Sequence, residues 1–190
     1  MTISVLYGII IKRKTLVKAK GVTVTEVRYV NKDDDLNAIS AIYEVSWRHT
    51  YKGMLPSGYL KHIPEGNWSD RINRFGSHSL VMVNNSEYIA TISFGASMIG
   101  SKYSGWGEIF SLYVLPQYTG KGIGKLIMDR TLSELKDMGF RQVVLAALDK
   151  NTIARHFYEK YGFVMSGDMM KLKIGRKTVT EVMYTLDLNV

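Results

Sequence analysis

Three glycines at alternate positions, Gly120, Gly122 and Gly124, mark the part of the sequence best suited to bind a ligand. They follow a short apolar strand predicted over residues 109–114 and open an amphipathic helix predicted over residues 122–138. Glycine lets the backbone approach a ligand closely, and the first N–H groups of a helix have no partner inside the helix. Because the helix dipole is positive at that end, the turn favours a phosphate group.

The residues around this turn do not match either of two common nucleotide-binding motifs. The G-x-x-x-x-G-K-[ST] spacing of a nucleoside-triphosphatase loop is absent, and no acidic residue stands where a dinucleotide fold places its ribose partner. Lys121 and Lys125 would add positive charge to a phosphate site. Taken alone, the segment is also compatible with an ordinary tight turn.

Two longer segments resemble motifs of the GNAT superfamily of N-acetyltransferases. Residues 112–124, LYVLPQYTGKGIG, are similar to a strand end followed by the acetyl-CoA-binding signature Q/R-x-x-G-x-G/A. About 27 residues further on, residues 151–163, NTIARHFYEKYGF, resemble the N-x-x-A-x-x-F-Y-E-K-x-G-F helix of that family. The two segments occur in the family's order and with its spacing.

The resemblance implies a fold as well as a site. It predicts an α/β protein, a single domain with a mixed, splayed β-sheet covered by helices, as in acyl-CoA N-acyltransferases. The predicted element order over residues 22–188, β-α-α-β-β-β-α-β-α-β-β, agrees with it. We assign residues 22–190 to this domain and residues 1–21 to an N-terminal extension, an extra strand or an arm. The sheet should open between residues 109–114 and 142–148.

The resemblance also implies which residues bind acetyl-CoA, the expected cosubstrate. Its pantetheine arm should pair with the backbone near residues 112–114, and its pyrophosphate should lie on the amides of residues 117–125. The residues so assigned are Leu112, Tyr113, Val114, Gln117, Tyr118, Thr119, Gly120, Lys121, Gly122, Ile123, Gly124, Lys125, Asn151 and Tyr158.

Acetyl transfer from a thioester to an amine requires few catalytic groups. The leaving thiolate needs a proton, and Tyr158 is the candidate acid; a tyrosine that only packs is the alternative. A backbone N–H near residues 112–114 is the expected oxyanion donor. Glu108 is the candidate base, with Glu44 and His49 as weaker alternatives, and each is also compatible with a purely structural role.

The acceptor is less clearly indicated. Residues 47–56, WRHTYKGMLP, resemble a segment of polyamine acetyltransferase-like members of the superfamily, but the match is too short to assign a substrate. The aromatic residues of this region are candidates for an acceptor pocket or for simple core packing: Trp47, Tyr51, Tyr59 and Trp68. A formal charge of +8 argues against a free polycation as acceptor.

The amino-acid composition bears on several other classes of protein and of binding site. The chain has no cysteine, which excludes a disulfide scaffold and a thiolate zinc site, and its four histidines show no paired zinc spacing, so no metal is expected. We expect no membrane span and a cytoplasmic location. A homodimer is left open. A non-catalytic acyl-CoA-binding module is the main alternative function, and nucleic-acid binding rests on charge alone and is not expected.

Overall fold

Eight strands form one sheet in the part of the chain that the computed structural model describes, namely residues 15–19, 22–72 and 77–189. The strands are β1 (Thr15–Ala19), β2 (Val22–Tyr29), β3 (His78–Asn84), β4 (Glu87–Ala96), β5 (Gly107–Val114), β6 (Gln142–Leu148), β7 (Val164–Ile174) and β8 (Lys177–Asp187). Their order in the sheet is β1-β2-β3-β4-β5-β6-β8-β7. Only β5 and β6 pair in parallel; the other neighbours are antiparallel.

Four α-helices cover this sheet: α1 (Leu36–Thr50), α2 (Ser57–Lys61), α3 (Ile123–Asp137) and α4 (Thr152–Tyr161). Side chains of successive strand residues point to opposite faces, so β3 shows which helix lies on which face. Leu80 and Met82 belong to the same core cluster as Ile127 of α3, whereas Val81 packs with Ile39 of α1. The helices α1 and α3 therefore lie on opposite faces of the sheet.

Most of the predicted elements are found, and the predicted mixed α/β fold is confirmed. The strand β6 has the predicted bounds, and the helix α4 lies within residues 151–163, where the motif predicts a helix. Asp35 caps α1: its carboxylate accepts hydrogen bonds from the backbone N–H groups of Asn37 and Ala38 at 3.0 and 3.1 Å.

The loop that follows α2 contains one 3-10 turn in its described residues, Ser69–Arg71. Side chains of α1 accept hydrogen bonds from backbone N–H groups of this loop and hold it in place. Ser40 Oγ accepts a hydrogen bond from the Trp68 N–H at 3.0 Å, and Glu44 accepts one from the Gly66 N–H at 2.9 Å. Residues 73–76 lie outside the described part of the chain.

Part of the predicted N-terminal extension lies in the sheet. The strand β1 pairs antiparallel with β2, with Thr15 opposite Val27. Residues 1–14, 20 and 21 lie outside the described residues, so the division of the chain at residue 22 stays a prediction.

Candidate functional site

The two parallel strands β5 and β6 separate soon after they begin. Their pairing is limited to Gly107–Ile109 of β5, opposite residues 143–145 of β6. On the other side of β5, Ser93 pairs with Ser111 and Phe94 with Ile109, which leaves Phe110 as an extra, bulged residue. A bulge bends a strand and increases its twist. The bend lies where β5 leaves β6, so a gap opens in the sheet.

A cavity of about 630 Å³ occupies this gap. The strands contribute the diverging segments, residues 110–114 of β5 and 146–148 of β6. Residues of α1 line the cavity together with residues of α3 and α4. Since α1 and α3 lie on opposite faces of the sheet, the cavity connects the two faces. The predicted opening between these strands is thus present.

The side of the cavity near α3 consists mainly of backbone, and we call it the glycine end: Thr119, Gly120, Gly122, Gly124 and Lys125. Gly120 and Gly122 have φ of +72° and +84°, a region that L side chains rarely adopt. Gly122 is the N-cap of α3, and no side chain caps the helix there. The first N–H groups of α3 therefore remain available to an anion.

Lys125 is the charged side chain of the glycine end. Its ammonium group lies 2.9 Å from the Asp129 carboxylate, one turn further along α3, and 5.6 Å from the centre of the Tyr161 ring. The lysine is exposed, so it can turn toward an anion at the start of the helix.

Four residues assigned to the cosubstrate do not line the cavity. Ile123 is buried in the core, and Gln117 is exposed. Tyr118 donates a hydrogen bond from its hydroxyl to Glu87 at 2.6 Å, and the Lys121 ammonium lies 5.3 Å from the centre of the Tyr118 ring. The assignment of these four residues to the cosubstrate stays a prediction.

The start of α4 brings Asn151 to the cavity. Asn151 is the N-cap of α4: its side-chain oxygen accepts a hydrogen bond from the Ala154 N–H at 3.2 Å. The side chain is buried and lines the cavity. Capping therefore holds the amide in place at the edge of the gap.

Tyr158 of α4 lines the cavity. Ala154, Phe157 and Tyr161 of this helix are partly buried against the core, and Tyr158 is its fully buried residue. Its ring contacts the rings of Phe157 and Phe163. Its hydroxyl makes no hydrogen bond to any residue that the structure describes. Burial raises the pKa of Tyr158 well above its usual value, so the hydroxyl keeps its proton at neutral pH.

The side of the cavity near α1 consists of side chains, and we call it the aromatic end: Trp47, Tyr51, Leu55, Ile174 and Glu181. Trp47 donates a hydrogen bond from its ring nitrogen to the Tyr113 hydroxyl at 2.8 Å. Burial raises the pKa of both Tyr51 and Tyr113. These contacts hold the aromatic rings in fixed positions around the opening.

Two of the aromatic residues predicted for an acceptor pocket, Tyr59 and Trp68, do not line the cavity. Their ring centres lie 6.3 and 5.3 Å from that of Trp47. They pack against Trp47, which does line it.

Glu108, the candidate base, lies outside the cavity lining. Its carboxylate accepts hydrogen bonds from the Met98 N–H at 2.7 Å and from Ser97 Oγ at 3.1 Å. Burial raises the pKa of this carboxyl, and these hydrogen bonds act in the opposite direction. The contacts hold the loop after β4 against β5, and the assignment of Glu108 as base stays a prediction.

The weaker candidates for the base are also outside the cavity lining. Glu44 is buried and accepts hydrogen bonds from Ser40 Oγ and the Gly66 N–H, both at 2.9 Å. His49 is exposed. Glu44 holds the loop that follows α2 in place.

Glu181 is a carboxylate of the cavity that the sequence analysis missed. It lies on β8 opposite Leu148 of β6, and it lines the aromatic end. Burial raises the pKa of Glu181, and the nearby Glu108 raises it further. A signal for it exists in the sequence: Glu181 stands between Val179 and Met183, two apolar residues on the same face of the strand.

The described residues match neither the pattern of a metal site nor that of a membrane-spanning helix. Within residues 15–19, 22–72 and 77–189, no group of three or more histidine, aspartate or glutamate side chains is arranged to hold a metal ion. In the same part of the chain, the helices are too short or too polar to span a bilayer.

The sequence of this chain is similar to those of known acyltransferases. Residues 39–163 match the Acetyltransferase (GNAT) family. The N-acetyltransferase YuaI of Bacillus subtilis is 26% identical over 144 residues, which are 74% of this chain and 79% of YuaI. The L-amino acid N-acyltransferase MnaT of Escherichia coli is 32% identical over 68 residues, which are 35% of this chain and 40% of MnaT.

Solved structures show the same fold. The PaiA N-acetyltransferase of Thermoplasma acidophilum, in complex with coenzyme A, superposes with a TM-score of 0.65 over 83% of this chain and 97% of its own, at 22% identity. The yncA protein of Salmonella typhimurium, solved with acetyl-CoA, gives a TM-score of 0.63 over 86% and 94% of the two chains, at 23% identity. With a family match that spans most of its length, this chain belongs to the acetyltransferase (GNAT) family.

Proposed function

We propose that this protein transfers the acetyl group of acetyl-CoA to a primary amine. The observation that carries the proposal is the cavity between β5 and β6, which joins the free N–H groups at the start of α3 to the buried hydroxyl of Tyr158. Such a path suits a long ligand with a phosphate at one end and a reactive group at the other. The family membership, the coenzyme A bound in the PaiA structure and the acetyl-CoA bound in the yncA structure support the same ligand.

The described residues suggest how the cosubstrate would be held. The glycine end would bind its pyrophosphate through backbone N–H groups, with Lys125 adding charge. Residues 112–114 of β5 face the gap without a strand partner on that side, so their backbone groups can bind the pantetheine arm as a missing strand would. The buried amide of Asn151 would contact the same arm.

Tyr158 would act as the acid. The amine nitrogen attacks the thioester carbonyl, a C–N bond forms, and the oxyanion accepts a hydrogen bond from a backbone N–H of residues 112–114. The C–S bond then breaks, Tyr158 donates its proton to the thiolate, and the nitrogen releases its extra proton to solvent, from which Tyr158 regains one. A hydroxyl that keeps its proton at neutral pH and has no competing hydrogen bond among the described residues suits this role.

The test is the release of coenzyme A thiol from acetyl-CoA in the presence of a panel of amines, amino acids, polyamines and peptides. We expect turnover with at least one amine, and we expect it to persist in the presence of a chelator. Stabilisation of the fold by acetyl-CoA without turnover on any acceptor would instead favour a non-catalytic acyl-CoA-binding module. A melting temperature that saturating acetyl-CoA leaves unchanged would contradict both functions.

A cytoplasmic location, a possible homodimer and the absence of nucleic-acid binding remain predictions from the sequence.

A further inference from the structure

Glu181 is a partly buried carboxylate without a compensating charge. It forms no hydrogen bond or ion pair with any residue that the structure describes, and its charged neighbour, Glu108, repels it. Tyr51 is also close enough for its pKa to be raised by the Glu181 charge. Since the charged form of a buried carboxylate is costly unless it is paired, Glu181 has a strong preference for a cation beside it.

The walls around Glu181 are apolar and aromatic. Leu148 pairs with Glu181 across β6 and β8, and Leu148 packs in one buried cluster with Leu55, Trp47 and Ile174. Aliphatic side chains favour an apolar body next to the charged group of a ligand, and aromatic rings attract the cation itself. This end of the cavity therefore suits a ligand with a cationic head and an apolar body.

The positive and the negative side chain of the described cavity lining lie at opposite ends of the cavity. Among the described residues that line it, the charged ones are Lys125 and Glu181. Lys125 lies at the glycine end and is paired with Asp129, whereas Glu181 lies at the aromatic end. The described lining of the aromatic end thus carries one negative charge, which complements one positive charge on a ligand.

We propose that Glu181 is the acceptor-binding residue and that it selects a primary amine with a single positive charge on an apolar body. This inference rests on the proposed acetyl transfer. The ammonium group of the acceptor lies against the Glu181 carboxylate and transfers one proton to it, which leaves a neutral amine and a carboxylic acid. The amine then attacks the thioester, and Glu181 releases the proton to solvent after the product leaves.

The experiment compares the parent chain with Glu181→Gln, which keeps the shape of the side chain and removes its charge. Asp187→Asn is the matched control, because it removes one carboxylate from an exposed position of the same strand. The acceptors are 2-phenylethylamine, with one charge on an apolar body; phenylalanine, which adds a carboxylate; and spermidine, a polycation. The readouts are kcat/KM from thiol release and the affinity of 2-phenylethylamine for the coenzyme A-loaded protein by calorimetry.

We expect the parent to prefer 2-phenylethylamine to the other two acceptors by about tenfold or more in kcat/KM. Glu181→Gln should lower kcat/KM for this amine, and its calorimetric affinity, by about 10- to 100-fold, the scale of a hydrogen bond to a charged group. Asp187→Asn should stay within about twofold of the parent. Acetyl-CoA should raise the melting temperature of all three proteins equally, which shows that Glu181→Gln folds and binds the cosubstrate.

The outcomes separate this inference from the proposed function. If Glu181→Gln keeps the amine affinity and kcat/KM of the parent, or if the parent prefers phenylalanine or spermidine, the role of Glu181 is overturned. If the coenzyme A-loaded parent binds 2-phenylethylamine through Glu181 but no acceptor releases thiol, the binding role stands and acetyl transfer fails.

Discussion

The two ends of the cavity are built in different ways. The glycine end comes from one short stretch of the chain, residues 119–125, five of which line the cavity, and it offers mainly backbone N–H groups at the start of a helix. The aromatic end is assembled from α1, the segment after it, β7 and β8, and offers side chains. Backbone groups bind a ligand that a whole family shares, because every sequence supplies them. Side chains decide which acceptor enters, so the specificity of this protein should reside at the aromatic end.

The largest expected effect comes from Tyr158, which lines the same cavity and belongs to neither end as defined above. Tyr158→Phe keeps the buried ring and removes only the hydroxyl, so packing against Phe157 and Phe163 persists. We expect kcat to fall by about 100-fold or more, as for loss of a general acid, with acetyl-CoA affinity nearly unchanged. Steady-state kinetics and calorimetry measure the two quantities. A variant that retains kcat within about threefold would leave positioning of the two substrates as the main source of rate.

A second substitution should damage the glycine end alone. Gly122 has φ of +84°, and a Cβ added there meets no atom within 4 Å, so Gly122→Val acts through backbone strain and through the space left for a phosphate. We expect acetyl-CoA affinity to fall by about tenfold or more, the scale of a lost charged hydrogen bond, and the thermal shift to disappear.

Gly139→Val is the control for this prediction. Gly139, just beyond the other end of α3, has φ of +91° and equally open surroundings. Both valines should destabilise the fold by about 1–2 kcal/mol through the left-handed backbone. Only Gly122→Val should lose the acetyl-CoA shift. Equal loss in both variants would mean that the effect comes from the stability of α3 and not from the ligand site.

The smallest expected effect concerns the cost of keeping a carboxylate at the aromatic end. Burial, and then the charge of Glu108, raises the pKa of Glu181 above its value in the unfolded chain. The folded chain therefore holds this proton more tightly, and the contribution of Glu181 to the free energy of unfolding is lost as the pH rises through the folded pKa. Glu181→Gln cannot become charged, so the free energy of unfolding of this variant does not fall for that reason. In the absence of ligand it should raise the melting temperature by up to a few degrees near pH 7 and by little near pH 4.

Asp187→Asn again serves as the comparison, now in thermal denaturation across that pH range. A stabilisation of the same size in both variants would point to the general net charge of the chain and not to the burial of Glu181. A Glu181→Gln variant that is less stable than the parent near pH 7 would show that the charged form is well compensated in the folded chain.

The amino-acid sequence by itself determined the fold class and the glycine end. A nearly continuous apolar run located β6, helical spacing located α4, and the glycines at 120, 122 and 124 located the start of α3, because these signals lie within a few consecutive residues. Asn151 and Tyr158 were found for the same reason: both stand in one short motif. These signals depend only on residues that are close in the sequence, so they can be recognised without knowing what the segment packs against.

Only the tertiary structure decided the aromatic end. Trp47 and Glu181 are separated by more than 130 residues in sequence, and they line one cavity because β5 bends away from β6 and leaves room between α1 and β8. The same packing placed Glu108 against the amide of Met98, outside the cavity lining, and turned Tyr158 into the core. Whether a carboxylate has hydrogen-bond partners or lines a cavity depends on long-range contacts, and no local pattern of residues encodes these.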